Sequence, residues 1–237
     1  MDPVLEHVRR TATDDPATLG VLLIGSRSTG AARPDSDYDV VWILTDDELA
    51  SRAERHVKSG RLDIAFTSPA RLAEHARDPG WFTAALLGAR VVVDKTGDVS
   101  RAVSAIRAAA EARARGRVAE DYDAYLNSFV RSLKAWRRGD ELGGRLHASE
   151  SMTALVRTLC GVLGRWPPYH DDLGRVVVEL ERYLTLVFAD ELRRVVASGD
   201  PSSQQRLEAG VEAFMSSRGF PHQWADELEP LKTWRFE

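Results

Sequence analysis

The chain has 237 residues, 43% of them hydrophobic and 29% charged, with a formal net charge of −4. That balance suits an ordinary globular protein with one large core or two modest ones, and it excludes a general electrostatic pull toward nucleic acid or anionic membrane. No apolar run approaches the ~20 residues of a bilayer span, and a single cysteine, Cys160, excludes an intrachain disulfide.

The elements follow in chain order. Asp2 and Pro3 suit a helix start, because proline at the first helical position gives up an N–H that has no partner there. VLLIG (21–25) is a continuous apolar run ended by glycine, which predicts a buried strand. DVVWIL (39–44) predicts a second strand, apolar on both faces and therefore central. DDELASRAERH (46–56) reads as a short exposed helix. RLDIAF (61–66) predicts a third strand, with Leu62, Ile64 and Phe66 on one face and Asp63 and Ala65 on the other. Ser68 and Pro69 open a helix, DPGW is a turn, and ARVVVDK predicts a fourth strand.

Beyond residue 97 nearly everything is helical in period. Tyr122, Tyr125, Leu126, Phe129, Val130, Leu133 and Trp136 recur at three- and four-residue steps. So do Leu146, Met152, Leu155, Val156, Leu159 and Val162, then Leu173 through Val187 and Phe188, then Leu207, Val211 and Phe214. RRGDELGG and GRWPPYHDD are breaks between them. The expected fold class is α+β: a mixed-sheet domain over residues 1–97, followed by an all-α bundle of four or five helices over 98–237.

Chemistry concentrates in GSRSTGAARPDSDYDV, residues 25–40. Asp37 and Asp39 lie two apart at a strand start, so both carboxylates point to one face. Asp63 is a polar position of another strand, and if the strands pair, three carboxylates converge. Like charges that close repel unless a cation lies among them. Hard oxygen ligands suit Mg²⁺ or Mn²⁺ better than zinc. Two such ions about 3.5–4 Å apart support in-line displacement at phosphorus. The loop in front offers Gly25 for close backbone approach, hydroxyls on Ser26, Ser28 and Thr29, and positive charge on Arg27 and Arg33. Pro34 argues against extending the strand back to Asp35. A turn cap before a strand would also explain a lone Asp-x-Asp; the Gly-Ser pair, the apolar strands and Asp63 favour the functional reading.

With Gly25-Ser26 after one strand, Asp37-x-Asp39 opening the next and Asp63 on a third, the chain resembles the nucleotidyltransferase superfamily of DNA polymerase β. It is similar in particular to the minimal nucleotidyltransferases, including aminoglycoside and lincosamide nucleotidyltransferases with a C-terminal helical domain. The resemblance implies that Asp37 and Asp39 are ligands to two Mg²⁺ ions, and that Asp63 is a third ligand or the base itself. It also implies that Gly25 and Ser26 hold phosphates, with Arg27 and Ser28 beside them. The implied reaction transfers a nucleoside monophosphate, with ATP the expected donor, to a hydroxyl of a small acceptor and releases pyrophosphate. Antibiotic modification is an analogy within this resemblance. Glu150 is the candidate for the helix glutamate that serves as base in some relatives. Some relatives build their site across a homodimer, and the sequence leaves that open.

Other residues admit two readings each. Asn127, Arg131, Lys134 and Arg138 share a helix face and could hold the nucleotide's triphosphate, or form a solvated stripe. Trp136, Trp166 and Tyr169 could stack a substrate ring, or serve as core. Cys160 sits in an apolar pattern and is expected to be buried. The histidines, His7, His56, His75, His147, His170 and His222, have no zinc-ligand spacing. The N-terminal stretch lacks signal-peptide order, so a cytoplasmic location is expected, with no membrane partner. Two rivals remain: transfer to a protein or RNA acceptor, as in toxin–antitoxin pairs, and a non-catalytic nucleotide-binding module on the same fold. The acidic net charge argues against nucleic acid.

Overall fold

The computed structural model describes residues 2–52, 54–169, 172–184, 188–220 and 224–236. His170, Val187 and His222, named above, lie outside them. The chain is α+β and divides into two compact units, 1–110 and 111–237.

The first unit is a five-stranded mixed sheet with helices on both faces. Its strands are β1 (Thr18–Ile24), β2 (Tyr38–Leu44), β3 (His56–Ser59), β4 (Leu62–Thr67) and β5 (Arg90–Asp94), in spatial order β3-β4-β2-β1-β5. Only β2 and β4 pair in parallel. β2 is central, as an all-apolar strand must be to bury both faces. Alternation then sorts its side chains. Val40, Trp42 and Leu44 pack with Leu5, Val8 and Ala12 of α1 (Pro3–Asp14). Val41 and Ile43 pack on the other face with Leu72 of α4 (Pro69–Arg77), Leu86 of α5 (Thr83–Leu87), and Val99, Val103 and Ile106 of α6 (Asp98–Gly116). α1 starts as expected: Pro3 is its first residue, and the Asp2 carboxylate accepts the Val4 N–H at 2.9 Å.

Two expectations are corrected here. The helix expected over 46–56 ends early, as α3 (Asp46–Ser51), and its expected last residue, His56, instead opens β3. β3 forms a hairpin with β4 through Gly60-Arg61, with Ser59 opposite Leu62. Gly60 has φ +58°, the conformation a two-residue hairpin asks of its first loop residue. The second correction is the division of the chain. It falls after Ala110, inside α6, and not at residue 97, because the first half of α6 is part of the sheet's core.

The start of α6 is held by Asp94 at the end of β5. Its carboxylate accepts from the N–H groups of Gly97 (2.8 Å), Val99 (3.4 Å) and Ser100 (2.9 Å), and from the Ser100 hydroxyl (2.6 Å). Partial burial pushes its pKa up, but the bonds from Ser100, Val99 and Gly97 outweigh that and hold it below the usual carboxylate value. A lowered carboxylate pKa contributes stability above the unfolded-state pKa, and that stability is lost as pH falls through the folded-state value. Asp94→Ala is therefore expected to cost about 1–2 kcal/mol near neutrality. The gap to wild type should close on acidification below the ordinary aspartate range. Urea unfolding at several pH values checks both; a gap that stays constant with pH would exclude this role.

The second unit is a bundle of α7 (Val118–Arg137), α8 (Glu141–Val162), α9 (Leu173–Glu181), α10 (Phe188–Ser198), α11 (Pro201–Ser217) and α12 (Ala225–Lys232). Its core includes Tyr125, Phe129, Leu133, Leu155, Leu180, Phe188, Leu207 and Val211. The apolar run from Leu173 to Phe188 contributes to two helices, α9 and α10, where the period predicts one. Leu146 lies on α8 but is 58% exposed, so it is not part of the core. Gly161 is one reason α8 packs closely: a Cβ there would stand 2.7 Å from the Ala114 carbonyl oxygen. Cys160 is buried as expected, and burial pushes its thiol up to about 12. Among the described residues no helix is long and apolar enough to cross a membrane.

Candidate active site

Register builds the site. Asp39 on β2 lies opposite Asp63 on β4, and Asp63 lies opposite Lys58 on β3. On its other side Asp39 is opposite Ile24, the last residue of β1. Residues opposite one another share a face, so Asp39, Asp63 and Lys58 stand in a row across three strands. This is the face that carries Val41 and Ile43, at the end of β2 where that strand begins. Asp37, two residues before Asp39, joins the same side just ahead of β2, which starts at Tyr38 and not at Asp35.

The turn from β1 brings Gly25 against Asp39. Gly25 has φ +68° and opens α2 (Gly25–Thr29). A Cβ on Gly25 would collide with Asp39 Oδ2 and lie 3.3 Å from its Cγ. The Ser28 hydroxyl donates to the Gly25 carbonyl at 2.8 Å, and the Thr29 hydroxyl to Ser26 O at 3.2 Å. Those two hydroxyls serve the turn. Ser26 Oγ has no hydrogen-bond partner among the described residues, which leaves it the hydroxyl with capacity for a ligand.

Arg27 is employed differently from the sequence expectation. Its guanidinium donates to Ser36 O (2.8 Å from Nη2) and to Asp37 O (3.1 Å from Nε), and stacks 3.9 Å from the Tyr38 ring centroid. Arg61 Nη2 donates to Pro34 O at 2.6 Å and to Ser36 O at 2.5 Å. The two arginines clamp the 34–37 segment, which sets the position of Asp37. Arg33 is exposed, and its backbone N–H donates to Ser36 Oγ at 2.8 Å.

The electrostatics of the three carboxylates differ. Asp37 accepts from Lys58 Nζ at 2.9 Å, and that bond and charge hold its pKa below the usual value. The lysine is raised in return, first by Asp37 and then by the fields of Asp63 and Asp39. Asp63 is paired with His56 Nε2. Asp39 is half-buried and, among the described residues, has no hydrogen-bonded or ion-paired basic partner. Burial, then the charge of Asp63, then that of Asp37 push its pKa up. With Asp37 and Asp63 drawn toward Lys58 and His56, no group of three His, Cys, Asp or Glu side chains among the described residues is arranged to hold one ion. The three carboxylates are oxygen donors on one face, the ligand type that hard divalent cations take, and the repulsion among them falls on Asp39. Two residues of this face, His56 and Lys58, escape a sequence reading that treats 46–56 as helix. The signal for them was present, as His56-Val57-Lys58 alternation ending in Ser59-Gly60 ahead of a strand.

No protein-family model matches the chain, and no curated protein sequence does. Among solved structures that match is the crystal structure of a nucleotidyltransferase-like protein from Exiguobacterium sibiricum 255-15. Identity is 13%, the match covers 95% of this chain and 78% of that one, and the TM-score is 0.49.

The remaining candidates lie in the second unit. Arg131 Nε donates to Asn127 Oδ1 at 2.7 Å, Lys134 pairs with Glu227, and Glu150 accepts from His147 Nδ1 at 3.1 Å if that nitrogen carries the proton. Trp136 packs over two glycines: a Cβ on Gly144 or Gly199 would meet its indole. Trp166 and Tyr169 are half-buried. A surface concavity is lined by Ala112, Arg113, Gly116, Arg117 and Glu120, and there Arg117 already pairs with Glu120 and Asp121.

Proposed function

We propose that the chain is a Mg²⁺-dependent nucleotidyltransferase that moves a nucleoside monophosphate, from ATP by preference, to a hydroxyl of a small molecule. The observation that supports this is the row of Asp39 and Asp63 in register, flanked by Asp37 and abutted by Gly25-Ser26. Asp39, half-buried beside Asp63 and Asp37, is left with a repulsion that Lys58 and His56 do not remove, and a bound cation would relieve it. Bound among Asp37, Asp39 and Asp63, divalent ions would supply charge neutralisation at the transferring phosphorus and the departing pyrophosphate.

The chain's own groups have the remaining tasks. Gly25 allows the phosphates close to the backbone, and Ser26 Oγ donates to a phosphate oxygen. Arg27 and Arg61 fix the segment that carries Asp37, so that its carboxylate is in place before the ligand arrives. Asp63 accepts the acceptor's hydroxyl proton, and His56 beside it orients that carboxylate. The acceptor oxygen forms a bond to the α-phosphorus as the bond from that phosphorus to the bridging oxygen breaks, and pyrophosphate leaves with the electron pair.

Pyrophosphate release tests the reading. Purified protein with Mg²⁺ and each of the four ribonucleoside triphosphates would be incubated with aminoglycosides, with lincosamides and with no acceptor. Release that requires one acceptor is the expected result. Release without any acceptor would move the reading to protein modification. Nucleotide binding with no release under any condition would leave a binding module.

A further inference from the structure

Lys58 places a cation of the chain's own on this face. Its position is set by backbone register, since it lies opposite Asp63 in the β3–β4 hairpin. Its ammonium is 2.9 Å from Asp37 Oδ2, and Asp63 and Asp39 are near enough to act on it. A lysine ammonium offers three donors and no acceptor, so each carboxylate lone pair it takes is withdrawn from any other cation. The ammonium and a divalent ion on the same carboxylate would also repel one another. Lys58 has somewhere to go: β3 is an edge strand, and 54% of the lysine side chain is exposed.

We infer that Lys58 is a resident counter-ion of the carboxylate cluster, holding Asp37 in the place of a divalent ion and competing with that ion for it. This rests on the reading of Asp37, Asp39 and Asp63 as a metal site. Loading the site requires Lys58 to leave Asp37. Without metal, Lys58 offsets part of the repulsion among the three carboxylates; with metal, it opposes binding.

The test is Mn²⁺ binding to the full chain without nucleotide, followed by calorimetry and by the electron-spin signal of free Mn²⁺. Lys58→Met and Lys58→Gln are expected to bind Mn²⁺ about tenfold more tightly than wild type, the scale on which a unit charge a few ångströms from a divalent ion acts in a solvated site. Lys58→Arg keeps the charge and is expected to keep wild-type affinity. Without metal, both neutral variants should melt below wild type and gain more from saturating Mn²⁺. Unchanged or weaker Mn²⁺ binding in the neutral variants overturns the inference. Asp39→Asn separates the two ideas. If it weakens binding while the Lys58 variants do not tighten it, the metal site stands and the role of Lys58 falls. If Asp39→Asn binds as wild type does, or no variant binds at all, the metal site falls and the counter-ion role with it.

Discussion

Asp39→Asn is expected to lower nucleotidyl transfer by about 10³-fold or more while leaving the fold intact and, without metal, more stable than wild type. The loss follows from position. Asp39 is in register with Asp63, and Gly25 abuts it. Removing one preorganised electrostatic group from a developing charge costs about 10²–10³ in other sites, and Asp39 is proposed to act on every ion the site holds. The gain in stability follows from charge. Burial and the two neighbouring carboxylates raise the pKa of Asp39. A raised carboxylate pKa means that the ionised form is penalised in the folded state. The penalty is absent well below the unfolded-state pKa, sets in as pH rises through the interval up to the folded-state value, and is full above it. The neutral amide escapes it. Asp39→Asn should therefore melt above wild type at pH 7 in the presence of a chelator, with a gap that shrinks toward pH 3. Saturating Mg²⁺ should reverse the order, since it binds the wild-type carboxylates. Full activity in Asp39→Asn would remove the proposed site. A lower melting temperature without metal at pH 7 would show that the carboxylate is not under the repulsion described.

Gly25→Ala is expected to cost about 1–3 kcal/mol of stability and to reduce activity nearly as far as Asp39→Asn. Two effects add. An L-residue at φ +68° carries a penalty of about 1–2 kcal/mol from contact between Cβ and the backbone. The new methyl also collides with the Asp39 carboxylate oxygen, which must rotate out of its place on the site face. A double-mutant cycle separates the two. In an Asp39→Ala background the colliding oxygen and its carbon are gone, and the nearest remaining atom, Asp39 Cβ at 3.6 Å, is an ordinary contact. Gly25→Ala should then cost only its backbone term, with a coupling of about 0.5–1 kcal/mol or more between the two positions. Strict additivity in the cycle would show that Gly25 is required for its backbone alone.

The order of most of these elements could be read from local pattern. A strand buried on both faces must be apolar throughout, so β1 and β2 were legible as runs, and the centrality of β2 with them. The alternation of Leu62, Ile64 and Phe66 against Asp63 and Ala65 defined the faces of β4 before any pairing was known. Spacing alone placed Asp37 and Asp39 on one side. Pro34 correctly ended the strand before Asp35, since β2 begins at Tyr38.

What needed the tertiary structure was everything that depends on which strand lies beside which. Pairing energy is spent between segments distant in sequence, and no local period records the partner. That Asp63 faces Asp39 is a fact of parallel register between β2 and β4, separated by a helix and a hairpin strand. β3 has four residues, a polar outer edge and a helix-like run of Glu, Arg and Ala before it, so its local preference points the wrong way until β4 supplies the ladder. With β3 hidden, Lys58 and His56 were hidden too. Arg27 shows the limit most plainly. A cation in a small-residue loop before two aspartates reads as a phosphate ligand. The fold turns it onto Ser36 O, Asp37 O and the Tyr38 ring, where backbone carbonyls just ahead of β2 accept its N–H groups.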